Sequence, residues 1–256
     1  MRHFSGSIAL FAIFCLGSSL LADEPRDVID RGIKARAAKP ELLDKQKICV
    51  MTMLGKMLNT EKGEVAATFE IVAEWPSHCR YSVEMMAPDG TRRAQLGLQI
   101  DKGWVRAPGQ PTMDMNSDQV DEFKMEVYGR WLTTLYPLKD RGFTLTLMKD
   151  SRVDGDEVSV VKATLRFRPD VLLSFSKKSG HLLKASYKAR ESGVEMRKEH
   201  LFSDFKEFDG LTLPSKLIDM KQVGNLPATK DAEWTISSYK FPDKLGAESF
   251  SKPEKK

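Results

Sequence analysis

The sequence predicts a mainly β fold of the α+β class. About ten or eleven antiparallel strands form one strongly curved sheet or open barrel, with an N-terminal helix and an inserted amphipathic helix. Three observations carry this expectation. Glycine-containing turn signals recur at Glu61-Lys62-Gly63, Pro88-Asp89-Gly90, Asp101-Lys102-Gly103, Val153-Asp154-Gly155, Lys178-Ser179-Gly180, Glu191-Ser192-Gly193 and Phe208-Asp209-Gly210. Glycine supplies the positive φ of a tight hairpin turn, and aspartate tolerates the position beside it. Between the turns, apolar and polar residues alternate, which is the period of a strand with one buried face. Two segments depart from that period, and both carry helical spacing.

Taken in order, residues 1–22 read as a cleaved signal peptide. Arg2 precedes an apolar run from Ile8 to Phe14, and Ala22 stands before the charged stretch that begins at Asp23. A single domain is expected over 23–250, since no linker divides it, with a frayed tail over 251–256. Residues 25–38 place Val28, Ile29, Ile33 and Ala37 at helical spacing, with Pro25 suited to the first turn. The first strand is expected over 46–58. In 65–75 the odd positions Val65, Ala67, Phe69, Ile71, Ala73 and Trp75 are apolar, and Cys79, Tyr81, Val83, Met85 and then Ala94, Leu96, Leu98, Ile100 repeat the pattern. The second helix is expected over 117–136, where Val120, Phe123, Val127 and Trp131 form a stripe widened by Tyr128, Leu132 and Leu135. Asn116 and Gln119 have the spacing of a capping box, and Pro137 ends the segment. Further strands are expected over 143–147, 158–167, 171–175, 183–187, 195–205, 211–220 and 234–241. The apolar phase slips between Val160 and Val161, which predicts a β-bulge there.

Composition excludes more function classes than it selects. With 40 Lys and Arg against 36 Asp and Glu the net charge is only +4, and 41% of residues are hydrophobic. That is too apolar for disorder and too polar for a polytopic membrane protein. Arg92, Arg93, Arg166, Arg168, Lys184 and Lys188 alternate with apolar positions among acids, as on the wet face of a sheet, so no nucleic-acid partner is expected. His78, His181 and His200 lack metal-ligand spacing, and no nucleophile elbow, Walker loop or dinucleotide fingerprint occurs. No enzymatic activity, cofactor or metal is therefore expected. Export would permit Cys49 and Cys79 to pair, but if their strands, the first and third of a meander, lie in sequential order they stand roughly 9–10 Å apart, beyond disulfide reach, which favours two small half-buried hydrophobes over a disulfide. Methionines gather in the N-terminal half, at Met51, Met53, Met57, Met85, Met86, Met113, Met115 and Met125. Their flexible thioethers suit core filling or a surface that fits ligands of variable shape.

Asp101-Lys102-Gly103-Trp104, the runs 171–183 and 202–214, and Tyr239-Lys240-Phe241-Pro242 followed by Phe250 carry a family likeness. Together with the order of elements, they resemble the LolA/LolB-like superfamily of periplasmic lipoprotein carriers. The resemblance implies an incomplete β-barrel closed by helices, with a lid helix over a hydrophobic cavity that accepts acyl chains. On this sequence the concave face would be lined by Phe69, Ile71, Trp75, Tyr81, Val83, Met85, Leu96 and Leu98, and covered by Phe123, Val127 and Trp131. The cavity arginine associated with the carriers has no clear equivalent in this sequence, and Arg80 falls on the polar phase of its strand. The function so implied is an exported periplasmic monomer holding a lipid or lipoprotein acyl chain, with no transmembrane segment after signal cleavage. The alternative is an envelope sensor or scaffold that binds another envelope protein through its sheet surface and carries no lipid.

Overall fold

The computed structural model describes residues 24–59, 63–87 and 90–253. The expected signal peptide and the end of the expected tail therefore lie outside the described residues. Helix α1 (Pro25–Arg36) and a 3-10 segment (Pro40–Lys47) lead into β1 (Ile48–Asn59), β2 (Gly63–Glu74), β3 (His78–Ala87), β4 (Gly90–Gln99), β5 (Lys102–Arg106) and β6 (Met113–Asp114). Helix α2 (Ser117–Thr133) and a 3-10 turn (Tyr136–Lys139) follow. Then come β7 (Thr144–Leu147), β8 (Ser151–Val153), β9 (Asp156–Thr164), β10 (Val171–Ser176), β11 (Leu182–Glu191), β12 (Val194–Phe208), β13 (Leu211–Val223) and β14 (Thr229–Lys240).

These strands form one antiparallel sheet in the order β6-β5-β4-β3-β2-β1-β14-β13-β12-β11-β10-β9-β7, with β8 paired to β9. The expected mainly β, curved and unclosed sheet is what forms. Its fourteen strands exceed the expected ten or eleven. The additions include β6 and β8, two and three residues long and too short to show alternation. The chain runs outward from β1 to the β6 edge, passes through α2, and returns from the β7 edge to β14 beside β1. Because α2 connects the two edges it spans the concave side, touching β4 and β5 in one half and β10 and β11 in the other.

The helix ends follow local chemistry. Asn116 Oδ1 accepts the Gln119 backbone N–H at 2.9 Å, and Gln119 Oε1 accepts that of Asn116 at 3.0 Å, completing the expected capping box. A cap of this kind contributes about 1 kcal/mol. Two apolar clusters then divide the interior. One joins α1 (Val28, Ile29, Ile33) and the second half of α2 (Tyr128, Leu132) to Val161, Leu173, Phe175 and Leu213. The other joins the first half of α2 (Val120, Phe123, Val127) to Met53, Phe69, Tyr81, Leu98 and Trp234.

Two local expectations are corrected. The bulge at Val160 and Val161 is absent, since β9 pairs with β10 in unbroken register from Val158 to Ala163. Both faces of β9 are covered instead. Val161 and Ala163 enter the α1 cluster, while Val158 and Val160 pack with Val153, Leu172, Leu183 and Leu201 on the opposite face. Gly103 does not make the turn after β4. Ile100 adopts the left-handed conformation there (φ 56°), and Gly103 serves close packing, because a Cβ would lie 2.6 Å from Met115 Sδ. Cys49 and Cys79 are buried free thiols separated by Ala73 of β2, as the meander geometry requires.

Gly55 of β1 pairs with Trp234 of β14, and a Cβ on it would lie 1.9 Å from the Glu233 carbonyl oxygen. That obstacle is backbone in the middle of the sheet and cannot step aside. Gly55→Ala should therefore destabilise the fold by about 1–3 kcal/mol, the range of overpacking. Chemical denaturation measures this, and an unchanged midpoint would contradict the close β1–β14 approach.

Candidate functional site

The concave side of the sheet is not completely filled. A cleft of about 360 Å³ opens beside the first half of α2, walled by Phe69, Tyr81, Val83, Leu96, Phe123 and Trp234. That volume falls within the roughly 300–1,000 Å³ of small-molecule sites. Strand register aligns the wall, with Phe69 opposite Val83 and Tyr81 opposite Leu96. Tyr81 meets Phe69 and Phe123 edge-on at 5.3 and 5.1 Å between ring centroids, so the aromatic wall is locked in orientation. At the mouth, the Glu122 carboxylate accepts the backbone N–H groups of Ser192 and Gly193 at 3.1 and 2.8 Å. This pins the β11–β12 hairpin tip to α2.

A charged network forms one side of the cleft. Arg130 Nε donates to Glu126 at 2.7 Å one turn earlier on α2, and Arg130 Nη2 reaches Asp219 of β13 at 3.4 Å. Lys198 of β12 pairs with Glu126 at 3.1 Å, and the Tyr187 hydroxyl of β11 donates to the same carboxylate at 2.9 Å. His200 Nδ1 lies 2.5 Å from Asp219, whose other oxygen accepts the Trp234 indole N–H at 3.0 Å. The Arg130 guanidinium also sits 5.7 and 5.8 Å from the ring centroids of Phe69 and Tyr81. Burial works against the charges of Glu126, Arg130, Lys198 and Asp219, yet their partners outweigh it. Lys198 and Arg130 hold Glu126 well below the usual carboxylate range, and Arg130 and His200 hold Asp219 at about 2. Two cations face two carboxylates, so the charges of Arg130, Lys198, Glu126 and Asp219 cancel.

Past Arg130 lies a smaller, more enclosed cavity of about 70 Å³. Its walls include Met51, Ile71, Trp75 and Tyr239, with Arg36 and Gln46 among the polar groups. Arg130 lines both spaces and stands between their remaining walls, which share no other described residue.

The expected lining residues are distributed among these spaces. Phe69, Tyr81, Val83, Leu96 and Phe123 line the cleft, and Ile71 and Trp75 line the enclosed cavity. Met85 packs beside the cleft cluster, and Val127 is buried within it. Leu98 and Trp131 line a separate groove on the other side of α2, where Trp131 packs against Phe143. Sequence reading missed Arg130, Glu126, Lys198 and Asp219, and saw His200 only as a poor metal ligand. Arg130 comes from α2 and lines both spaces. The available signal was Glu126 and Arg130 at i,i+4, a spacing that is usually an exposed helical pair. Among the described residues no group of three or more His, Cys, Asp or Glu side chains could hold a metal. No described helix is long and apolar enough to cross a membrane.

No protein-family model matches the sequence, and no curated protein matches it. Solved structures do. The chain is similar to a LolA superfamily protein from Nitrosomonas europaea, at 13% identity and a TM-score of 0.53, covering 90% of this chain and 99% of the other. It is similar to a domain assigned as an outer membrane lipoprotein-sorting protein from Vibrio parahaemolyticus, at 15% identity and a TM-score of 0.51, covering 87% and 97%. A DUF1329 family protein from Desulfovibrio piger matches at 11% identity and a TM-score of 0.51, covering 90% and 98%. At these identities the likeness establishes the fold: the chain has the LolA-like fold expected from its sequence.

The network makes a stability claim with a definite sign. Asp219 titrates lower when folded than its ordinary 3.8, so its contribution is present above about pH 4 and is lost as pH falls toward 2. The shift corresponds to about 2 kcal/mol. Asp219→Asn should lose about that much at neutral pH and show a flatter acid limb in denaturation series run from pH 7 downward. Arg130→Met should cost more, about 3–5 kcal/mol, because it leaves Glu126 and Asp219 buried with one cation fewer. An Arg130→Met protein as stable as the wild type would remove the network from its structural role.

Proposed function

We propose that the protein is a periplasmic carrier that holds the acyl chain of a lipid or lipoprotein in the cleft beside α2. The observation that carries this reading is the cleft itself: an open, aromatic-walled space in the concavity of a LolA-like sheet, where a core would otherwise close. Aliphatic chains suit such a wall. Each CH₂ transferred from water contributes about 0.8 kcal/mol, so a partly buried chain binds without directed polar contacts. The lipoprotein-sorting assignment of one fold relative and the LolA superfamily assignment of another support the same class of cargo. The candidate ligand-binding residues are Phe69, Tyr81, Val83, Leu96 and Phe123 in the cleft, with Ile71 and Trp75 in the space beyond Arg130. Periplasmic residence follows from the apolar N-terminal segment read as an export signal.

Solvent extraction of the purified protein, followed by mass spectrometry, should recover bound lipid, and delipidated protein should take up a fluorescent fatty acid. Leu96→Glu places a carboxylate in the cleft wall and should weaken that uptake at least about tenfold, since a charge must then be desolvated against the chain. Absence of co-purified lipid together with absence of uptake would defeat the carrier reading and favour a protein partner.

A further inference from the structure

Arg36 and the largely covered Arg130 sit in opposite electrostatic settings. Arg130 has Glu126 and Asp219 beside it. Arg36, at the C-terminal end of α1, is only 6% exposed, and no Asp or Glu forms an ion pair with it among the described residues. Its Nη1 donates to the Thr133 carbonyl at 2.6 Å and lies 3.4 Å from Gln46 Oε1, and both partners are formally neutral. Thr133 belongs to the last turn of α2, where the helix dipole offers about half a negative charge. A net cation remains. Burial accordingly pushes the guanidinium down to about 10, opposite to the direction taken by Arg130.

Arg36 lines the enclosed cavity, and so does Trp75. The Trp75 indole N–H is buried without a hydrogen-bond acceptor. The nearby Cys49 thiol is too weak an acceptor to satisfy it. One small cavity thus presents an uncompensated cation and an orphan donor within apolar walls of Met51, Ile71 and Leu217. A buried donor left unpaired and a buried charge left uncompensated are both unfavourable, and one anionic acceptor relieves both.

We propose that this cavity is the headgroup subsite for a long-chain carboxylate, with Arg36 and the Trp75 indole N–H as its donors and the alkyl chain directed toward the cleft. The assignment rests on the acyl-chain reading and narrows it, from acyl chains in general to free fatty acids. A carboxylate bound between a guanidinium and an indole N–H gains charge-assisted hydrogen bonds that an ester or an alcohol cannot match.

The test is a titration of delipidated wild-type protein with palmitic acid, methyl palmitate and hexadecanol at a pH where the acid is ionised. Palmitate should bind at least about tenfold more tightly than either neutral analogue. That preference should disappear in Arg36→Gln, which keeps a donor for Thr133, and shrink in Trp75→Phe, which keeps the ring. Equal affinity for acid, ester and alcohol would overturn the headgroup subsite and leave the acyl-chain reading standing. Failure of all three to bind would overturn both. A preference that survives unchanged in a folded Arg36→Gln would place the anion elsewhere. Should that variant not fold, the wild-type comparison and Trp75→Phe decide the matter.

Discussion

One turn of α2, from Glu126 to Arg130, sets the position of the helix on the sheet. The apolar stripe alone cannot do so, because hydrophobic burial is non-directional and a stripe of this width would tolerate sliding and rotation. Directional contacts remove that freedom. Arg130 reaches Asp219 on β13, and Glu126 takes Tyr187 of β11 and Lys198 of β12. Three neighbouring strands therefore hold the same turn. Gly129 lets it approach closely, since a Cβ there would stand 2.4 Å from the Tyr187 ring. Tyr187 is itself fixed by hydrogen-bond distances of 2.9 Å to Glu126 and His200.

The division of the interior follows from that anchor. Toward the helix N-terminus, Val120, Phe123 and Val127 close on the β1–β4 side, while Tyr128 and Leu132 close on the β9–β11 side with α1. A helix that serves two clusters cannot fill the space between them. The cleft and the enclosed cavity are what remain on either side of Arg130. The topology favours this, because α2 links the two edges of the sheet and packs against β4 and β5 in one half and β10 and β11 in the other.

Local chemistry made most of the architecture legible in the sequence. Alternation over 65–75 and 79–85 identified the concave wall, and Asn116 with Gln119 identified the helix start, because both signals act within a few residues. Misreadings arose where distant segments decide the outcome. The phase slip at Val160 and Val161 reflects a strand covered on both faces, and the second cover comes partly from Leu183 and Leu201 on β11 and β12. Trp131 shares the α2 stripe with Phe123 and Val127, yet the stripe turns onto the other cluster before reaching it. The charged network was invisible for the same reason. Its α2 members look like an ordinary surface pair, and Lys198, His200 and Asp219 join them from strands about seventy or more residues away.

Buried ion networks are weak evidence for stability, since well-packed apolar residues of similar volume often serve as well or better. Their retention here has a geometric reading. An apolar side chain that collapsed into the junction between the two spaces would have to cover the Arg130 guanidinium and replace its partners, at a desolvation cost it could not recover. The network therefore acts as a spacer. It fixes α2 to three strands and, by the same charges, keeps the concave face from closing into a continuous core. Arg36 lines the enclosed space and differs from Arg130 in bonding only neutral partners, the Thr133 carbonyl and Gln46. Compensated charge at Arg130 and uncompensated charge at Arg36 set the enclosed space apart from the open cleft.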